Sequence, residues 1–431
     1  MKKLLLLTLV IFTLSSGVVY AGDVEIKPYG FILLNANYND AIKADIPVKA
    51  ALSDTLSISS FLITPRQTRF GFKLNYEADW KVAGVFEMDF FGLKGSGANG
   101  GVMQSAPRLR LANFKLTKND FSLVFGQDWT IFAPLSPTSM MHVSIPGFSS
   151  SGNLWNRFPQ MRFEYKAKLD DKNSLLFQGA FLRPLGADIT PTVNQTDEFG
   201  AGELANLPFV QGRVSANFGT SATIGASFHF GQEDFYTAMG GKKKSISSIT
   251  ADTLIEDIYD WPLDTTYVTY YLEDSKTNTM AFAGDLKIKV NILTLSGEAF
   301  WGENLTMLFS NSYVRSEAVG SKYEVKGVGA MGGWGELIIK PSNSKFSFGG
   351  GVGFESLKEE DVDSLFTDKL FKSSTPLWKN MTIFATIMYA PFDKVSFGFE
   401  FNNIKTTYKT SKTVEKDADN NSVSFACKFD F

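Results

Sequence analysis

Alternation with a period of two runs through most of this chain in segments of about ten residues, and it constrains the fold more than any other feature. The clearest instance lies at 395–402, where Val395, Phe397, Phe399 and Phe401 interleave with Ser396, Gly398, Glu400 and Asn402. Successive side chains of a strand point to opposite faces, so each such segment has one greasy face and one wet face. The last segment repeats the grammar, with Val423, Phe425, Cys427, Phe429 and Phe431 against Ser424, Ala426, Lys428 and Asp430. Candidate strands fall at 24–39, 66–77, 80–91, 106–117, 120–128, 158–169, 172–183, 205–217, 220–231, 278–289, 291–302, 328–340, 344–355, 379–390, 393–406 and 421–431. They number about sixteen, an even count of the kind found in single-chain membrane barrels.

The connections alternate in length. Tight links join Glu77 to Trp80, Thr117 to Asp120, Leu169 to Lys172, Asn217 to Thr220, Lys289 to Asn291, Lys340 to Ser344 and Ala390 to Asp393. Between them lie long polar segments at 40–65, 92–105, 129–157, 184–204, 232–277, 303–327, 356–378 and 407–420. Membrane barrels carry short periplasmic turns and long extracellular loops, whereas a soluble sandwich or propeller has no reason to sort its connections this way. The expected fold is therefore all-β: a transmembrane antiparallel β-barrel of about sixteen strands with short periplasmic turns, long extracellular loops and an inward-folded third loop. Composition agrees, since 39 Phe, 14 Tyr and 7 Trp coexist with a mean hydropathy of −0.05, so apolar residues must be regularly diluted by polar ones. No fixed-period repeat or Pro- or Ser-rich linker divides the chain, and a single barrel domain is expected over 22–431.

Residues 1–21 read as a signal peptide: Lys2 and Lys3, an apolar run from Leu4 to Leu14, then Val19-Tyr20-Ala21 before the cleavage point. That run is well short of the ~20 residues a spanning helix needs. Export points to the periplasm or beyond, and together with the barrel pattern the expected location is the cell outer membrane of a Gram-negative-type bacterium, in contact with outer-membrane lipid. A net charge of −3, with no basic block beyond Lys242 to Lys244, gives no reason to expect a nucleic-acid partner. The single Cys427 excludes an intrachain disulfide framework and lies on the apolar face of the last strand. The only histidines are His142 and His229, and neither H-E-x-x-H nor G-x-S-x-G occurs. No catalytic site, metal site or cofactor is expected, and a barrel enzyme would have to work with His142 as its only loop histidine.

If the apolar faces meet lipid, the opposite faces line the lumen, and their charges can be read strand by strand. Arg69 and Lys73 share one inner face, as do Arg108 and Arg110, and Arg162 and Lys166, while Arg213 stands among small polar neighbours. Glu87 and Asp89 interrupt this basic wall from an adjacent strand, within reach of its arginines. The later strands offer Asp285, Glu298, Glu336, Glu355 and Glu400 with fewer cations beside them. One side of the lumen is thus expected to be basic and the other acidic. Arginine forks suit carboxylates, which would give solute selectivity; the same charges would also serve simply to hydrate a wide lumen. In the long segment from Trp129 to Trp155, Pro134, Pro137, Pro146, Gly147 and Gly152 preclude a regular element of any length. It reads as a constriction loop with Asp128 and Arg157 at its base, an ordinary surface loop being the alternative. Trp80, Trp129, Trp155, Trp301 and Trp378 lie near strand ends and are expected to form interfacial girdles.

The stretches TPRQTRFGFK (64–73), FEMDFFG (86–92), PRLRLANFKL (107–116), FGQDWTIF (125–132) and WNRFPQMRFEY (155–165) resemble, in that order, the DcaP-like outer-membrane porins. The family pattern runs R-Q-S/T-R-F-G, D-F-F-G, R-L-R, G-Q-x-W-S/T-x-F and R-x-P-Q-I-R-Y. The likeness covers roughly the first third of the mature chain. A final strand closing on Phe431 likewise resembles the C-terminal signature of bacterial outer-membrane barrels. What these resemblances imply is a passive diffusion pore for small hydrophilic solutes, associated with dicarboxylates, and a homotrimer. Some members carry a helical extension before the barrel, whereas here strand-like sequence, Glu25 to Tyr38, begins almost at once. The alternative is a non-conducting barrel that acts through its loops as an adhesin, receptor or structural envelope protein.

Overall fold

The computed structural model describes residues 19–21, 23–52, 58–92, 106–185, 200–235, 271–272, 276–319, 322–368 and 370–431. The expected signal segment, apart from its last residues, and Lys242 to Lys244 lie outside them. Sixteen antiparallel strands close into a barrel. They are β1 (Val24–Asn39), β2 in two pieces (Ser60–Thr64 and Arg69–Glu77), β3 (Lys81–Asp89), β4 (Arg108–Lys118), β5 (Phe121–Trp129), β6 (Arg157–Lys168), β7 (Asn173–Leu182) and β8 (Phe209–Phe218). The second half comprises β9 (Ala222–Asp234), β10 (Lys276–Val290), β11 (Leu293–Glu303), β12 (Gly329–Ile339), β13 (Phe346–Leu357), β14 (Leu377–Phe392), β15 (Val395–Ser411) and β16 (Val414–Asp430). Each strand pairs with the next, and β1 pairs with β16 from Phe31↔Asp430 to Asn39↔Ser422, which closes the ring.

Alternation does what its period demands. On β16, Val423, Phe425 and Phe429 are exposed on the outer face while Ser422, Ser424 and Ala426 are buried inside. Cys427 shares the outer face. All seven tight links of the sequence form turns at one end of the barrel. At 169–172 the Asp170 carboxylate accepts the backbone N–H groups of Lys172 and Asn173, both at 2.8 Å. Those bonds hold its carboxyl below the usual range.

Three strand boundaries depart from the alternation pattern, the start of β2, the end of β15 and the start of β16. Strand β2 does not simply begin at 66: it breaks into a turn at Pro65–Thr68, with the Thr68 N–H on the Pro65 carbonyl at 2.9 Å, and resumes over Ser60–Thr64. Proline cannot donate to the ladder. The Thr68 side chain repairs the gap by accepting the Leu33 N–H and donating to the Leu33 carbonyl. The segment 407–420, expected as a loop, is instead the paired tip of β15 and β16 with a turn at 412–413. Its polar cross-strand pairs, Lys405–Asp417 at 2.7 Å and Thr407–Asp417 at 2.6 Å, carry it without any greasy face, so alternation of hydropathy could not reveal it. The expected girdles are also incomplete. Trp301 is exposed outside, but Trp155 and Trp378 are buried within the barrel.

The long-loop half of the interior is partly dry. Phe132 and Leu154 from the 130–156 loop, Leu305 and Leu308 from the 304–328 connection, and Phe158 and Phe209 from the wall form one buried cluster. An apolar core inside the ring is the hydrophobic effect applied to loops that fold inward.

Candidate pore constriction

The third long connection, 130–156, leaves β5, crosses the lumen and returns at β6, and polar side chains around most of the ring pin it. On the first wall, Gln67 accepts the N–H groups of Val143 and Ser144 at 3.0 and 2.9 Å and donates to the Met141 carbonyl at 2.7 Å. Ser144 donates to Asp89 at 2.8 Å. Further round, Gln211 accepts from Thr130 and Ile131, and Ser227 accepts the Ala133 N–H. On the far wall Glu298 accepts the Leu135 N–H at 2.6 Å, Glu336 the Thr138 N–H at 2.8 Å, and Glu400 the Ser139 hydroxyl at 2.7 Å. Asn380 donates to the Ser150 carbonyl at 2.8 Å.

Glycine makes the close approach possible. A β-carbon on Gly353 would lie 2.3 Å from the Ser151 carbonyl oxygen and 2.7 Å from the Phe148 ring. Gly152 of the loop, at φ +100°, presses against the Gly333 and Phe354 carbonyls in the same way. Gly333 of β12 and Gly353 of β13 therefore form the seat of the loop.

The acidic residues of the later strands do point inward, but they are engaged rather than free. Glu298, Glu336 and Glu400 hold the third loop, and Glu298 also accepts the Trp334 indole N–H at 3.0 Å. Glu355 accepts the Ser310 hydroxyl and the Asn311 N–H. Asp285 receives two bonds from Arg213, at 3.1 and 2.7 Å. The open acidic wall expected from the strand pattern is thus largely covered by loop backbone. No pattern of alternation encodes what a loop will dock against.

The basic wall is denser. Arg108 grips Asp89 with two bonds at 3.0 and 2.7 Å. Arg110 bridges Glu87 at 2.8 Å and Asp89 at 3.0 Å. Arg69 lies 3.6 Å from Glu87 and donates to the Val143 carbonyl at 2.7 Å. Arg162 pairs with Asp128 and Glu164, each at 2.9 Å. The ladder between β3 and β4 shifts register beside Arg110, and Gly126 on the next strand sits at φ +115°. Such a bulge re-aims side chains, here beside the base of the loop. Lys73 and Lys166 stand exposed on the same inner faces nearer the short turns, with no carboxylate within ion-pair distance among the described residues.

Arg157 differs from its neighbours. It is 9% exposed, has no carboxylate partner among the described residues, and its Nη1 has no hydrogen-bond partner. Its guanidinium lies 5.0 Å from the Trp129 ring and 5.8 Å from Trp155, and Arg110 lies 5.7 Å from the Trp129 ring. Aromatic faces stabilise a cation without neutralising it.

Arg66 and Gln67 were not among the inner-face residues, because the Pro65 turn throws them inward out of strand phase. Arg66 pairs with Asp45 and donates to the Gly92 carbonyl. A proline inside a strand-like run was the available signal. His142 and Ser139 both meet Glu400, but the hydroxyl donates to the carboxylate rather than to the imidazole. They do not form the nucleophile–base pair that hydrolytic chemistry needs. His229 is buried against Phe132 and Phe209. Among the described residues no cluster of three potential ligands could hold a metal ion.

The fold is that of outer-membrane channels. DcaP, an outer membrane channel of Acinetobacter baumannii, superposes with a TM-score of 0.65 at 17% identity, covering 96% of this chain and 99% of its own. The trimer form of OmpT from Vibrio cholerae gives 0.51 at 12% identity, over 95% and 100%. An anion-selective porin from Comamonas acidovorans gives 0.50 at 11% identity, over 95% and 100%. No protein-family model and no curated protein sequence matches the chain.

Proposed function

We propose that this chain is an exported outer-membrane porin, a passive diffusion channel for small hydrophilic solutes that favours anions such as dicarboxylates. The observation that carries the reading is Arg157: a cation at the base of the constriction loop, flanked by aromatic rings and left without a carboxylate among the described residues. Around it, Glu87 and Asp89 are already shared among Arg69, Arg108 and Arg110, so the local balance stays positive. A carboxylate passing the loop base trades part of its hydration for guanidinium donors, and the same solute meets the charges of Lys73 and Lys166 later in its passage. The short turns then face the periplasm and the long loops the exterior. The trimer form of a structural neighbour supports a homotrimer for this chain as well.

The test is single-channel recording of the purified, refolded protein in a potassium chloride gradient, followed by addition of succinate. Stepwise openings in groups of three, a reversal potential on the anion side and current block by succinate are expected. Openings with cation preference overturn the selectivity. A silent barrel overturns the channel and favours the adhesin, receptor or structural reading, which the dry interior cluster would suit.

A further inference from the structure

A second loop enters the barrel beside the third. The connection 304–328 turns inward through Thr306–Leu308, burying Leu305, Met307 and Leu308 in the interior cluster, and Ser310 and Asn311 fasten it to Glu355 on β13. It is bonded to the third loop at four points. The Trp155 N–H donates to the Leu308 carbonyl at 3.1 Å, Asn156 to the Met307 carbonyl at 2.7 Å, Asn311 to the Ser150 carbonyl at 2.7 Å, and the Ser150 hydroxyl to the Phe309 carbonyl at 3.3 Å. Across these bonds the Phe309 ring stacks on the Trp155 indole, centroids 4.2 Å apart and planes within 12°.

The two aromatic residues are not ordinary core. Trp155 is 3% exposed, but Phe309 is 43% exposed although its neighbours Met307 and Leu308 are buried. Phe309 also adopts φ +59°, a left-handed conformation disfavoured for a residue with a bulky side chain. An aromatic ring held there, half in water, is placed to cover the indole. Trp129, at 6.2 Å, and the Arg157 guanidinium, at 5.8 Å, also neighbour the indole.

We propose that Trp155 and Phe309 form a latch between the two loops, and that this latch, not the third loop alone, positions the constriction and sets its size limit. The inference rests on the channel reading above. The third loop returns to the wall through 149–156, and over this stretch its hydrogen bonds are divided between the 304–328 loop and Asn380 and Thr382 of β14. Removing either ring leaves the two loops joined by hydrogen bonds open to water and lets Phe309 or its backbone move away from the loop base. The passage then widens beside Arg157. Both residues act through the loops they join and are positioning residues.

The experiment compares wild type, Trp155→Ala, Phe309→Ala and the conservative Phe309→Tyr, each refolded and checked for a heat-modifiable barrel. Conductance and exclusion of neutral polyethylene glycols of graded size are the readouts. The alanine variants are expected to conduct about twofold more and to admit larger polymers, because the radius of the lined passage governs both. Phe309→Tyr keeps the stack and should keep the wild-type cut-off, which a merely structural role would not separate from Phe309→Ala. Because Phe309 is partly exposed, its truncation tests the latch even where Trp155→Ala does not fold. A conducting wild type with unchanged cut-off in folded Phe309→Ala overturns the latch while leaving the channel intact. Silence of wild type and variants alike overturns both.

Discussion

The arginines of the inner wall carry the same formal charge and are expected to answer mutation differently. Arg110 is 1% exposed on its side chain and joins two nearly buried carboxylates, Glu87 and Asp89. Arg110→Gln strands that pair, and breaking a buried ion pair from one side costs about 3–5 kcal/mol. Lower resistance to denaturant and a swing toward cation preference should appear together. Arg157 has no such partner among the described residues, so Arg157→Gln should leave stability almost unchanged. A single charge at roughly 8–15 Å acts with about 1–2 kcal/mol at an effective dielectric near 20, so anion preference should fall by about tenfold. Reversal potentials and urea melts of both variants check this contrast, and equal effects on stability would refute it. Period-two alternation assigned Arg110 to an inner face, whereas Arg157 was read only as lying at the base of the third loop, from that loop's length and prolines. That Arg110 is spoken for and Arg157 is not depends on partners across strands and on two tryptophans, and alternation carries no information about pairing.

At the level of elements, strands were legible and their exceptions were not. A strand with one lipid-facing side writes its period into hydropathy, which is why all but β2, β15 and β16 emerge within a few residues of their observed ends. Pro65 breaks β2 and sends Arg66 and Gln67 inward, and the β15–β16 tip is paired through polar residues that leave no hydropathy signal. The third loop was recognisable by length and by its prolines, but its seat was not. Glycines in β12 and β13 look like weak strand positions until Ser151 and Phe148 are placed against them. Gly353→Val puts branched carbon where a β-carbon alone would already stand 2.3 Å from the Ser151 carbonyl. The loop has to lift, at an overpacking cost of about 1–3 kcal/mol. Noisier channels with flickering current steps are expected beside an intact heat-modifiable barrel. Steady wild-type currents in that variant would show that the loop is not seated there.

For the whole molecule, anion selectivity of the proposed channel would arise either from a field or from contact, and ionic strength separates the two. Lys73, Lys166 and Lys287 stand exposed on inner faces of the short-turn half, without an ion-pair partner among the described residues. Together they create a positive potential that acts over a Debye length, about 10 Å at 0.1 M salt and about 3 Å at 1 M. In the proposed channel Arg157 would act through donors within hydrogen-bond reach, in surroundings from which loops and rings exclude much of the water, and partly buried charges are screened far less. Raising potassium chloride from about 0.1 to about 1 M should therefore erase most of the reversal-potential preference while succinate still blocks current at only moderately higher concentration. If block vanishes in step with preference, the charges do no more than hydrate and bias a wide lumen. If block survives, and survives in a Lys73→Gln, Lys166→Gln double variant but not in Arg157→Gln, the loop base is a contact site for carboxylates. The lysines then serve to gather anions toward it.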